Sequence, residues 1–160
     1  MIQSIQENLT RQIRALELLS SLLEEEFADL RDRKPQDVSI LELSIQELMR
    51  QIAGERKSLR SLIETTYPGK QRVSEVAQSL APEVAQALSG QLAVLDRAEQ
   101  TCAIQADMNR QLAMGLYDQS LNLLKQLHQA IEPGKSDMYS RRGRFARSAQ
   151  PQVSMFRGGV

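Results

Sequence analysis

Apolar residues recur along this chain at helical spacing. Ile2, Leu9, Leu16, Leu23 and Leu30 stand on an unbroken seven-residue repeat, and Ile5, Ile13, Leu19 and Phe27 fill the alternate positions three or four residues on. Such a seam predicts a helix over about residues 2–33 that packs in the manner of a coiled coil. Leu18 and Leu22 are expected to widen the stripe, which suits a bundle core better than a two-stranded seam. Glu24, Glu25, Glu26 and Asp29 are assigned to the solvated outer face. The stretch "RDRKPQD" at 31–37 interrupts the pattern. Pro35 lacks an N–H and disfavours helix at Lys34, but it fits the first turn of a new helix.

The period then restarts. Val38, Ile45, Ile52 and Leu59 repeat every seven, with Leu41, Leu48 and Leu62 between them, which predicts a second helix over about 36–65. The short connection makes the first two helices antiparallel neighbours. "TTYPGKQ" at 65–71 carries Pro-Gly turn chemistry. Val73, Val76, Ala77 and Leu80 predict a short helix within 71–80. Pro82 opens a last helix predicted over 82–131, about 75 Å long at ~1.5 Å per residue. Its seam runs Leu88, Leu95, Cys102, Asn109, Leu116, Leu123 and Ala130 on a strict heptad. Gly90, inside "LSGQ", is its expected weak point, because glycine costs about 1 kcal/mol in a helix interior. The fold class is therefore all-α, an antiparallel bundle of long helices over residues 1–131 followed by a flexible basic tail at 132–160.

Composition supports that reading and sharpens the contrast at the end of the chain. There is no Trp, and Phe and Tyr together number six in 160 residues, a mix that favours helices over strands. Twenty acidic and twenty basic residues cancel. Residues 132–160, however, hold six Lys/Arg against two Asp/Glu, leaving the first 131 residues with an acidic surplus. Such an asymmetry concerns partners more than folding. Burying Met138, Tyr139, Phe145 and Phe156 would return about 6–12 kcal/mol, less than the ~1–2 kcal/mol per residue needed to order the tail's backbone. The tail is expected to be mobile alone, with its arginines and aromatics available to a partner.

Candidate chemistry is sparse. A di-metal bundle site needs two Glu-x-x-His motifs, and the chain has one histidine, His128, with Lys125 where the glutamate should stand. Cys102, the single cysteine, occupies a seam position as a small hydrophobe would. Its solitude excludes an intramolecular disulfide and suits a reducing compartment. No phosphate-binding loop, nucleotide fingerprint or acid–base pair is present. The longest sizeable uncharged stretch, Val84–Leu95, is too short to span a bilayer, and the N-terminus lacks the apolar run of a signal peptide. The expectation is a cytoplasmic non-enzyme with no metal or cofactor and no membrane insertion. Asn109 stands out as a polar seam residue that trades stability for register. With Ala98, Ala106, Ala113 and Gly115 it gives the last helix a thin face, read either as close packing under a neighbour or as a groove for a partner helix.

The assembled pattern resembles the flagellar type III export chaperones of the FlgN family. The resemblance rests on "LELLSSLLEEEFADLRDR", on "DVSILELSIQELMRQI" after the break, on "MNRQL" in the last helix, and on "YSRRGRF", which is similar to the family's Tyr-x-x-x-Gly element at Tyr139 and Gly143. Two departures stand out: Pro35 at the first junction, and no lysine within 42–49. The resemblance implies a cytoplasmic chaperone that binds hook-associated proteins of the FlgK and FlgL types, keeps them unassembled and delivers them to the flagellar export apparatus. It places client binding in the C-terminal part. The residues expected to contribute are Asn109, Leu112, Leu116, Leu123, Leu127, Met138, Tyr139, Arg141, Arg142, Gly143 and Phe145. The rival reading is a structural coiled-coil adaptor whose basic tail grips nucleic acid or another assembly. Five arginines with no Lys-rich patch on the body make a modest nucleic-acid footprint. Oligomeric state stays open, a homo-oligomer included.

Overall fold

The computed structural model describes residues 1–131. The expected tail and its candidates Met138, Tyr139, Arg141, Arg142, Gly143 and Phe145 lie outside the described residues. Four helices form: α1 (Ile2–Arg31), α2 (Pro35–Thr66), α3 (Val73–Ala77) and α4 (Pro82–Ile131). No strand occurs among the described residues, in agreement with the all-α reading. The described residues divide into two units, Met1–Met114 and a second that begins at Gly115.

Each turn follows from local chemistry. At the end of α1 the Lys34 N–H donates to the Asp29 carbonyl (2.9 Å) and the Arg33 N–H to that of Leu30 (3.2 Å). This is the paired Schellman pattern that satisfies the last carbonyls of a helix. It requires a left-handed residue, and Arg33 supplies it at φ 56° where glycine is the usual choice. Pro35 then starts α2 as its first residue, where a missing N–H costs nothing. After α2, Pro68 and Gly69 (φ 87°) occupy the two central positions of a turn closed by Lys70 N–H to Tyr67 carbonyl at 3.0 Å. That is the type II geometry, which asks for a positive φ at its second central residue. The Glu75 carboxylate accepts from the backbone N–H groups of Gln71 (2.9 Å) and Arg72 (3.3 Å), so the first turn of the short α3 is tied to the loop before it.

Within Met1–Met114, α1 is the shared neighbour. Its buried positions include Ile5, Leu9, Gln12, Leu16, Leu19, Leu23 and Glu26, an uninterrupted alternation of four and three. The α2 residues Leu41, Ile45, Leu48, Ile52, Leu59 and Ile63 are buried in turn. The Asn8 amide donates to the Glu55 carboxylate (2.6 Å) and carbonyl (3.1 Å), and Arg11 forks onto the same carboxylate at 3.0 Å twice. Helix α4 runs in the same direction as α1: the Gln91 amide donates to the Gln6 carbonyl, Cys102 to that of Leu16, and Asn109 to that of Leu23. The long helices thus run up, down and up, each antiparallel to the one before it.

The core falls into two clusters. One gathers Ile5 and Leu9 with Leu59, Ile63, Leu88 and the α3 residues Val73, Val76 and Ala77. The other joins Leu16, Leu19 and Leu23 with Ile45, Leu48, Ile52 and Cys102. Between them in α1 sits Gln12, fully buried, donating to Asn8 Oδ1 at 2.6 Å. The short α3 closes the first cluster by turning three small apolar side chains into it.

Two details depart from sequence expectation, and a third answers a point it left open. Leu18 is 53% exposed and does not widen the seam. Glu26, expected outside with its acidic neighbours, is buried, because it continues the 9–12–16–19–23–26 alternation while Phe27 falls one position off it and is only half-buried. Helix α4 passes through Gly90 unbroken, so the glycine lowers local stability without ending the helix.

These features generate three expectations. Leu16→Asp places an unpartnered carboxylate at a site only 4% exposed, and should cost several kcal/mol and abolish a cooperative thermal melt. Arg33→Gly relieves a left-handed non-glycine and should raise stability by about 1 kcal/mol, measured by urea unfolding. Two backbone donors hold the Glu75 carboxyl below its ordinary value of 4.5. Its stabilising contribution is therefore complete above that value and fades as pH falls through the depressed one. Glu75→Gln should lower the melting temperature at pH 7, and the gap from the parent should close in acid.

Candidate functional site

The C-terminal half of α4 carries the candidates that the structure describes. Its seam begins in the core. Leu88 is fully buried, and Cys102 is 6% and Asn109 4% exposed. The Cys102 thiol donates to the Leu16 carbonyl at 3.2 Å. Burial, with Glu99 nearby, pushes its pKa up, away from the thiolate that nucleophilic chemistry requires. The Asn109 amide donates to the Leu23 carbonyl (2.8 Å) and to the Glu26 carboxylate (2.6 Å), while its Oδ1 accepts from the Gln105 amide at 2.9 Å. All these partners lie on α1 or α4. Asn109 therefore ties α4 to α1 at one register, since sliding the helices would strand a buried carboxylate and a buried amide together.

Beyond Asn109 the seam loses its cover. Leu112 and Leu116 are half-buried. Leu123 is 55% and Leu127 56% exposed, although both continue the apolar pattern. Tyr117, Leu121, Leu124 and Ile131 are exposed as well. At 100° per residue these side chains share one side of the helix with Leu116, Leu123, Leu127 and Ala130. Asp118, Gln119, Asn122, Lys125, Gln126 and Gln129 take the other. This is an amphipathic helix whose apolar side is exposed, and contiguous exposed apolar surface of this kind marks interaction sites.

The thin face expected around Asn109 is also present. A cleft of about 340 Å³ opens there, lined by Leu23, Leu30, Ala113 and Met114 with Glu26, Glu42 and Asn109. A Cβ built at Gly115 would meet nothing within 4 Å, so no neighbour requires a glycine at that point. The structure thus separates the described candidates into three groups. Asn109 belongs to the core, with its amide engaged. Leu112 and Leu116 are transitional, and Leu123 and Leu127 form part of the exposed apolar side. The sequence pattern did not single out Tyr117, Leu121, Leu124 and Ile131. Helical spacing from Leu116 onward would have found them, because they lie beside the seam and no charged residue separates them from it.

Among the described residues, no helix is long and apolar enough to cross a membrane, and no three His, Cys, Asp or Glu side chains are grouped so as to hold a metal ion.

Comparison with curated proteins and with solved structures finds no match. The family model for FlgN protein matches residues 1–147, which takes in the whole bundle, the exposed apolar side of α4, and the Tyr139–Gly143 element. The chain therefore belongs to the FlgN family, a family of chaperones associated with flagellar export and flagellum assembly.

Proposed function

We propose that this protein acts in the cytoplasm as a non-enzymatic export chaperone for hook-associated proteins of the FlgK and FlgL types. It would hold them unassembled and present them to the flagellar export apparatus. The observation that carries this reading is the exposed apolar side of α4 between Leu116 and Ile131, in a chain whose family is one of flagellar export chaperones. A client that polymerises through amphipathic helices can be kept monomeric by covering one such helix. Leucines at three- and four-residue spacing form the matching surface.

In this proposal Leu116, Leu123 and Leu127 make the apolar contact, with Leu124 beside them, and Leu112 and Asn109 hold the helix that presents them. Met138, Tyr139 and Phe145 add anchors from the C-terminal segment. Arg141 and Arg142 pair with client carboxylates, and Gly143 completes the family element that begins at Tyr139. The charged contacts contribute least, because exposed ion pairs are worth ~0–1 kcal/mol while a buried aromatic anchor gives ~2 kcal/mol or more.

Titration calorimetry with a purified FlgK-type or FlgL-type client tests the reading. Leu123→Asp with Leu127→Asp should weaken binding by at least about tenfold (~1.4 kcal/mol) while the melting temperature stays near that of the parent, since both sites are exposed. Tyr139→Ala and Phe145→Ala should each weaken it more than Arg141→Ala. Unchanged affinity in the leucine double variant would refute this assignment of the client surface.

A further inference from the structure

A separate surface lies within Met1–Met114. Three clefts follow one another along the buried side of α1. Leu9 lies at the first, of about 320 Å³; Leu16 and Leu19 at the second, of about 470 Å³; and Leu23 and Leu30 at the third, of about 340 Å³. Each also takes part of its wall from α2. The floor positions keep the three-and-four alternation of the seam, so the clefts are spaced as knobs on an added helix would be.

The α2 wall is cationic at the first two clefts, whereas Glu42 supplies it at the third. Arg56 and Arg60 border both the first and the second cleft, Lys57 the second, and Arg72, in the loop before α3, the first. Arg56 is ion-paired with Glu99 of α4. Among the described residues, no ion pair engages Lys57, Arg60 or Arg72. No Lys-rich patch is written along the acidic body, and the fold makes a basic one by bringing Arg72 back beside Arg60.

We propose that the first two of these clefts dock an acidic amphipathic helix of a partner protein. Its apolar residues, at three- and four-residue spacing, enter the clefts, and carboxylates along its flank meet Lys57, Arg60 and Arg72. Charge complementarity selects the occupant: apolar floor and cationic wall together match a helix with leucines on one side and glutamates beside them. A bilayer is a poorer match, because the apolar floor is sunk below the rim while membrane-surface helices present apolar groups outward. The first two clefts share no residue with the client assignment, so this surface stands or falls apart from it.

The test uses the full chain and a fluorescent synthetic helix of about four turns with leucine at 3–4 spacing and glutamate on its flanks. A second peptide carries lysine in place of glutamate. Anisotropy should show binding of the glutamate peptide and at least tenfold weaker binding of the lysine peptide. Lys57→Glu with Arg60→Glu should weaken the glutamate peptide by at least tenfold. Ala53→Trp, which fills the second cleft from an exposed position, should do the same with no charge change, and keeps the test valid if charge reversal disturbs the fold. Leu123→Asp with Leu127→Asp should leave peptide affinity unchanged. Equal binding of both peptides, undiminished binding by Ala53→Trp, or loss in the leucine variant instead would overturn the proposal. So would self-association abolished by the charge reversal, which would assign the surface to a second copy. Reversal-sensitive sedimentation with phosphatidylserine vesicles would overturn it in favour of lipid.

Discussion

One seam of α1 serves two neighbours, and the unit Met1–Met114 depends on it. The α2 residues Ile45, Leu48 and Ile52 and the α4 residue Cys102 meet in one cluster around Leu16, Leu19 and Leu23. An all-leucine seam would bury as much surface, but successive heptads would then be nearly interchangeable. Three polar residues break that degeneracy. Gln12 donates to Asn8, and Asn8 donates to Glu55, which sets α2 on α1. Glu26 receives Asn109, which sets α4 on α1. Each buried polar group has a partner, so the cost of removing it from water is largely met, and a shift of one heptad would leave it unmet. Stability is traded for a single alignment.

That alignment decides what α4 exposes. Its seam is written as one continuous heptad from Leu88 to Ala130, yet burial stops being complete at Asn109. The apolar pattern that holds the bundle together and the pattern proposed to meet a client are the same pattern, divided by what stands opposite. A chaperone that binds through leftover seam needs no separate pocket, and its binding surface shares the helical geometry of the segments it covers.

The helices were legible in the sequence because burial on one side of a helix forces a 3.6-residue period, and α1, α2 and α4 keep it for thirty residues or more. Turn chemistry at Pro35 and at Pro68–Gly69 was legible for the same kind of reason. The Schellman end of α1 was not, since Arg33 takes the left-handed position without glycine to announce it. Glu26 was misplaced because a run of three glutamates suggests solvent, and only the strict alternation reveals that one of them turns inward. At the candidate site, Leu123 and Leu127 could be named from spacing, but their exposure could not, because a heptad states which side is apolar and not whether anything covers it. The basic wall at Arg56, Lys57, Arg60 and Arg72 was invisible for a further reason: it joins residues on either side of the Pro68–Gly69 turn.

The parallel pairing of α1 with α4 also has a temporal side. Leu23 and Asn109 are 86 residues apart, whereas α1 and α2 form a local hairpin. Contacts at short separation form early, and those that close a long loop form late. On a ribosome adding ~5–20 residues per second, the α1 side that receives α4 would wait on the order of 4–17 s between its own synthesis and that of Asn109. For the later part of that interval, once α2 is complete at Thr66, a nascent chain of this protein can stand as a two-helix hairpin with one apolar flank open, in much the same condition as the proteins it is proposed to guard.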